Sequence, residues 1–460
     1  MLPDLALLEM FDFYMEDSWE YLIPAWHTLV HVCRKWRNIV FGCPRRLNLH
    51  LHCHPGTPVR ERLNIWPVLP INIRDDVGRT WADTGNIVAA LEHNSRIGEV
   101  ILARDANFSS SQLEEVLVAM QKPFPTLRRL ELQPKPETTL VIPASFLGGS
   151  APDLRQLLLG RFLFPGLPKL LSSATQLVQL ELWGIPHSGY ISPEVMATCL
   201  SVSTRLQCVC IEFESPRSRP DLNIRRPPPP THILLPVLTM LEFKGVAEYL
   251  EDLVARIDAP LLGYLAITFF HQLIFDTPRL TQFITRTPNF KAHDHELKAS
   301  VFCSRMDVSF SFENFPEPNS LQPMGLRMEI PCRQLDWQLS CMAQVCNSSF
   351  PQALIPAVKR LYIRDSWSDF FDSQDDIENS QWLELFYPFT GVKNLYLTSK
   401  LVPHIAPALR ELVGERLTEV LPALRTVFLE ELLDEPFPEA IGQFVVARQL
   451  AGYPTAISSW

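Results

Sequence analysis

Apolar residues recur along the chain at positions i, i+3 and i+5 of a short phrase: Leu127, Leu130 and Leu132 in PTLRRLEL, Leu154, Leu157 and Leu159 in PDLRQLLL, Leu177, Leu180 and Leu182 in TQLVQLEL. The series continues as Leu206, Val209, Ile211, then Leu238, Leu241, Phe243, then Leu262, Leu265, Ile267. After a gap it returns as Val358, Leu361, Ile363, as Val392, Leu395, Leu397 and as Leu424, Val427, Leu429, with a weaker early copy at Ile97, Val100, Leu102. The last two apolar positions are two apart, so they share one face of an extended strand, and the first turns the chain into it. Each copy predicts one short strand. A single such strand cannot bury its face, so copies must stack side by side, each followed by a return segment that covers the back.

The return segments at 87–92, 113–120, 193–200, 249–257, 278–285 and 381–386 have helical composition and apolar spacing. Ser111, Ser192 and Thr277 stand where capping oxygens are expected, the last two followed by Pro193 and Pro278. A proline punctuates many phrases, as in Phe124-Pro125, Ala151-Pro152, Leu235-Pro236, Ala259-Pro260 and Leu421-Pro422. That accounts for 40 Pro beside only 18 Gly in 460 residues. Copy spacings of about 23 to 34 residues bracket and exceed the interval of leucine-rich repeats. The expectation is an α/β fold: an irregular leucine-rich-repeat solenoid of about ten repeats over 48–460, with degenerate repeats at about 268–355. Within that gap, 306–312 and 326–330 still alternate like strands. The stretch 215–230, with Pro227 to Pro230 consecutive, reads as a long inter-repeat loop.

Residues 1–47 differ from the rest. From His27 to Phe41, Leu29, Val32, Cys33, Trp36, Ile39 and Val40 fall on one face of an expected amphipathic helix, with Arg34, Lys35, Arg37 and Asn38 opposite. Upstream, Leu5, Leu7, Leu8, Met10 and Phe11 follow Leu2-Pro3-Asp4, where proline suits a first turn and the aspartate can cap.

Leu2-Pro3-Asp4 with Leu7-Leu8-Glu9-Met10-Phe11, followed by Val32-Cys33-Arg34-Lys35-Trp36-Arg37, resembles an F-box, and the chain as a whole resembles the F-box/leucine-rich-repeat proteins of basidiomycete fungi. The resemblance implies a substrate receptor of an SCF-type cullin-RING ubiquitin ligase, reaching the cullin indirectly through the S-phase-kinase-associated adaptor, with no chemistry of its own. It assigns Leu2, Pro3, Leu7, Leu8, Met10, Phe11, Val32, Cys33 and Trp36 to the adaptor contact and the F-box core. Two departures stand out: the motif begins at residue 2, and the linker from Asp12 to Thr28 is acidic, aromatic and long. The competing reading is a leucine-rich-repeat scaffold with no ligase link, whose first 47 residues cap the apolar end of the array.

A net charge of −10 argues against a nucleic-acid binder. The longest apolar stretch, 260–275, is too short and too polar to span a bilayer, and the first twenty residues lack a secretory pattern. The expected setting is therefore cytoplasmic or nuclear, with the ten cysteines reduced. Searches for nucleophile-elbow, phosphate-loop, dinucleotide and zinc-protease motifs all fail, so neither enzyme activity nor a cofactor is expected. His50, His52 and His54 alternate around Cys53, which a half-buried strand explains without a metal. The acidic, aromatic segment 365–378 reads as a loop folded back on the array rather than a recognition loop. In a strand, the residues between the phrase leucines face away from the core, which nominates Arg129, Glu131, Gln156, Gln179, Glu181, Trp183, Glu242, Lys244, Arg360 and Tyr362 as the target-binding face.

Overall fold

The computed structural model describes residues 3–16, 25–42, 49–51, 53, 56, 58–65, 68–75, 83–102, 109–134, 139–218, 232–270, 275–291, 297–304, 306–313, 325–332, 335–365, 378–430 and 439–460. The chain forms two compact units, one of residues 1–190 with 198–206, the other of residues 191–197 with 207–460. The expected boundary at 47 falls among 43–48, outside the described residues, as do Leu2, His52, His54, 219–231 and 366–377.

In the first unit, helices α1 (Asp4–Glu16), α2 (Ala25–Val32) and α3 (Arg34–Gly42) precede the main-sheet strands β1 (Leu49–Leu51), β2 (Ile71–Asp75), β3 (Ile97–Leu102), β4 (Arg129–Leu132), β5 (Gln156–Gly160) and β6 (Gln179–Ile185). Each strand pairs in parallel with the next. Helices Val59–Ile65, Thr84–Leu91, Ser110–Ala119 and Leu167–Ser173 supply the returns. Ser109, not Ser111, caps the third of these: its hydroxyl accepts from the Gln112 amide while the Gln112 side chain accepts from the Ser109 amide, closing a capping box.

The second unit begins with β7 (Cys208–Phe213), β8 (Met240–Gly245) and β9 (Tyr264–Phe269), and continues with β10 (Leu297–Cys303), β11 (Asp307–Glu313) and β12 (Gly325–Pro331). It ends with β13 (Val358–Asp365), β14 (Asn394–Leu397), β15 (Thr426–Leu429) and β16 (Ala456–Ser459). β7, β8 and β9 are parallel, as are β13 to β16. Between these runs the structure differs from degenerate strand–helix repeats. β10, β11 and β12 form an antiparallel meander laid in reverse order, so that β12 pairs in parallel with β9 and β10 with β13. Ser304 makes the reversal tight, its hydroxyl accepting from the amides of Met306 and Asp307. Gly325 opens β12 at φ +142°, where a Cβ would collide with the Phe312 carbonyl oxygen. Behind the meander, the buried amide of Gln338 in helix Leu335–Ser348 donates to the carbonyls of Ser304 and Cys332 at 2.9 and 2.6 Å.

Every apolar position of the ten phrases is buried, none above 6% exposure. Truncating one of these leucines to alanine would cost about 2–5 kcal/mol. The first position of the phrase has a consistent task. The amides of Leu127, Leu154, Leu177, Leu206, Leu238, Leu262, Val392 and Leu424 each donate to the carbonyl three residues earlier, at 3.1–3.4 Å, closing a turn before the strand. Pro125, Pro152, Pro236, Pro260 and Pro422 occupy the second position of that turn, where a fixed φ near −65° is already correct. The turns also bond from repeat to repeat: Val178 N–H to Arg155 O at 2.7 Å in the first unit, Arg425 N–H to Lys393 O at 2.7 Å in the second.

Candidate interaction surfaces

The first surface is the N-terminal helical module. Leu7, Phe11, Leu29, Val30, Ile39 and Val40 are buried. The Trp36 ring, half-buried, meets Phe11 edge-on at 4.8 Å between centroids. Asp4 is the first helical residue rather than a cap. The Pro3 carbonyl accepts from the Leu7 amide, and the Asp4 carboxylate pairs with Lys35 on α3 at 3.0 Å. The expected single helix from His27 to Phe41 is broken at Cys33. Its thiol accepts from the Trp36 amide at 3.5 Å and its carbonyl from the Arg37 amide at 3.0 Å, so Cys33 caps α3 instead of continuing α2. The Arg37 guanidinium in turn satisfies the Val30 carbonyl at the frayed end of α2. Of the residues assigned here by sequence, Leu7 and Phe11 lie in the core, Leu8 and Trp36 are half-buried, and Pro3, Met10, Val32 and Cys33 are exposed. Leu5 at 76%, Val32 at 57%, Met10 at 54% and Phe41 at 45% leave this module with an unusually wet apolar surface.

The second surface is the outward side of the strands in the first unit. Register aligns Asn72, Glu99, Arg129, Gln156 and Gln179 in one row, and Arg74, Ile101, Glu131, Leu158 and Glu181 in the next. The rows are stitched together: Arg74 to Glu99 at 2.9 Å, Arg129 to Glu131 at 3.0 Å, Gln156 to Gln179 at 2.9 Å, and Gln179 to Glu181. Trp183 extends this face, half-buried and opposite Gly160. Five nominated residues thus lie in these two rows, Arg129 bonded to Glu131 and Gln179 to both Gln156 and Glu181, with Trp183 at the end of the face.

The remaining nominees lie in the second unit, in two places. Glu242 and Lys244 sit on β8, Glu242 between Cys210 and Ala266, Lys244 between Glu212 and Thr268. Burial raises the Tyr264 phenol, with the Glu242 carboxylate adding to the shift. Arg360 and Tyr362 sit on β13, five strand spacings from β8, or about 24 Å. Within the second unit the two pairs of nominees therefore lie on separate strands rather than beside one another.

Sequence reasoning missed what surrounds Tyr362. Register sets Tyr362 opposite Tyr396, and Tyr396 opposite Phe428. The rings stack at 4.2 and 4.4 Å between centroids, and Trp460 leans edge-on against Tyr362 and Tyr396. The signal was available: the fifth position of the phrase is aromatic in three successive copies.

Among the described residues no group of three or more His, Cys, Asp or Glu side chains could hold a metal ion, and no helix is long and apolar enough to cross a membrane. The buried thiols are strongly protonated, Cys303 pushed up to about 12 and Cys341 to about 11, in both cases chiefly by burial.

No protein-family model and no curated protein matches the chain. Among solved structures, the chain is similar to the leucine-rich repeat-containing protein LegL7 from Legionella pneumophila, with 14% identity, 88% of this chain and 98% of that one covered, and a TM-score of 0.29. The mixed α/β architecture with parallel strands and the recurring turns before them is consistent with a leucine-rich-repeat-like solenoid.

Proposed function

We propose that the protein works by binding alone, as the substrate-recognition subunit of an SCF-type cullin-RING ubiquitin ligase. Its N-terminal helices dock on the S-phase-kinase-associated adaptor, and the outward strand faces take the target protein. One observation carries this reading: a small three-helix module whose own core is filled by Leu7, Phe11, Leu29, Val30, Ile39 and Val40 still exposes Leu5, Met10, Val32 and Phe41. A cap on a repeat scaffold exists to bury such side chains, whereas a docking module keeps them ready for a partner. Repeat units with outward rows of charged, amide and aromatic side chains suit protein capture. Neither a catalytic step nor a cofactor is part of the proposal.

The test is reconstitution. Purified chain, basidiomycete adaptor and cullin amino-terminal domain should co-elute as a ternary complex on size exclusion. Co-elution should be lost for Met10→Asp/Val32→Asp, whose changes fall at exposed positions that the fold tolerates. A folded wild-type chain that elutes apart from the adaptor would return the N-terminal module to the role of a cap.

A further inference from the structure

The aromatic ladder of the second unit has a chemistry of its own. At the corresponding fifth phrase position the earlier copies carry Ile101, Glu131, Leu158, Glu181, Cys210, Glu242 and Ala266, whereas the last three carry Tyr362, Tyr396 and Phe428. The change puts aromatic rings on the outward side of the sheet, away from the core that the phrase leucines fill. Ring planes lie within 13° and 7° of one another, so both faces of Tyr396 and the facing sides of Tyr362 and Phe428 are covered. The outer face of Tyr362 is covered as well, by the Arg364 guanidinium at 4.8 Å, which also lies 5.7 Å from the Trp460 ring. With every face of the two tyrosines taken up, they offer a ligand their ring edges and the two phenol hydroxyls. Ring edges carry the positive part of the aromatic quadrupole, and hydroxyls donate, so both favour an acceptor with negative charge.

Basic side chains predominate around the ladder, with Glu313 set opposite Lys298 on the side away from Arg360. Arg360 precedes Tyr362 on the same outward side, Lys298 pairs with it in register, and Lys359, Lys393 and Arg425 occupy the second phrase position of the three copies. The described carboxylates of these strands are engaged: Asp365, buried, accepts from the Thr398 hydroxyl at 2.6 Å, and Glu430 accepts from the Ser399 amide at 3.0 Å. In a chain of net charge −10, this basic and aromatic patch runs against the average.

We propose that the surface formed by Arg360, Tyr362, Arg364, Tyr396, Phe428 and Trp460 docks an extended acidic peptide segment of the target protein. Carboxylates meet the guanidinium groups and phenol hydroxyls, and one apolar side chain rests against Trp460, which is 40% exposed. This rests on the reading of the repeats as a target-capturing array and gives that target a chemistry.

The probe is a fluorescein-labelled peptide of alternating Asp and Glu with one central Phe, read by anisotropy with the full chain at low salt, beside the same peptide with Lys at every acidic position. Binding of the acidic peptide, weakening as salt shortens the Debye length, and none of the basic one is expected. Arg360→Glu/Arg364→Glu and Tyr396→Ala should each weaken it at least tenfold with unchanged circular dichroism. Arg205→Glu at an exposed position of the first unit, which also lowers the net charge, should leave it within twofold. Failure of the acidic peptide to bind, equal binding of both peptides, or an equal loss in Arg205→Glu would overturn the proposal. Adaptor co-elution of the same samples keeps the two readings apart: a chain that captures adaptor but not peptide loses this site alone.

Discussion

Glu251 caps a helix to which it does not belong: its carboxylate accepts from the Leu280 backbone amide at 2.7 Å and from the Arg279 amide at 3.0 Å, at the start of helix Pro278–Arg286. The residue placed to cap that helix, Thr277, is otherwise occupied, its hydroxyl bonded to Ser349 at 2.8 Å. Helix Ala247–Val254 therefore closes the N-terminus of the next return helix, and Asp252 clamps the Arg279 guanidinium at 2.7 Å beside it.

This cap has a pH signature. Burial raises the Glu251 carboxyl above its ordinary value, outweighing the two amides and Arg279 that favour the charged form. The folded state thus favours the protonated acid. Its stabilisation is full below the ordinary glutamate range and fades as pH rises through the raised value. The melting temperature of wild type relative to Glu251→Gln should therefore be higher at pH 4 than at pH 7.5. A constant difference would contradict the assignment. Glu251→Ala, which strips both amides of their acceptor, should cost about 1–2 kcal/mol at pH 7.

Arg448 is fully buried, and among the described residues no carboxylate pairs with it. Its guanidinium donates to the carbonyls of Leu417, Pro422 and Leu424 and to the Thr455 hydroxyl, fastening helix Glu439–Leu450 beneath the last turns. Arg448→Met keeps the length and abandons the carbonyls, and should lose about 2–4 kcal/mol in urea unfolding. Arg448→Lys should recover only part of that, since one ammonium cannot reach acceptors spread around a planar fork.

Gly391 lies in the turn before Val392, where a Cβ would strike the Pro356 carbonyl oxygen of the preceding repeat. Gly391→Ala should cost about 1–3 kcal/mol. At Gly414, which has nothing within 4 Å, the same substitution meets no atom and is opposed only by its φ of +60°. A smaller loss at Gly391 than at Gly414 would refute the close approach.

The repeat register was legible because Leu130 and Leu132, two apart, can only be a strand pair, and Pro125 can only help a turn. Other features needed three dimensions. The break at Cys33 was hidden because the apolar spacing of Val32 and Trp36 runs through it unbroken, while the cap is a weak thiol acceptor. The meander was hidden because Val308, Phe310 and Phe312 alternate alike in a parallel or antiparallel strand; direction leaves no mark on period. The separation of Glu242 from Tyr362 was hidden for a related reason: phrase position tells which side a residue faces, and the intervening strands decide which residues are neighbours.

Thiol chemistry separates the two surfaces from the core. Cys33 is exposed, whereas Cys303, Cys341 and Cys346 are buried with thiols pushed up in pKa. Brief maleimide treatment followed by peptide mass spectrometry should find label at Cys33 and none at these three until the protein is denatured. Adaptor bound over the helical module should protect Cys33. Unchanged labelling in the complex would move the contact elsewhere.

The most direct test of the account is calorimetric titration of purified adaptor into the full chain. Saturable one-to-one binding with a negative heat-capacity change, abolished by Met10→Asp/Val32→Asp in a variant of unchanged melting temperature, is the predicted result. No heat from a folded wild-type chain, or equal affinity in the double variant, would contradict it.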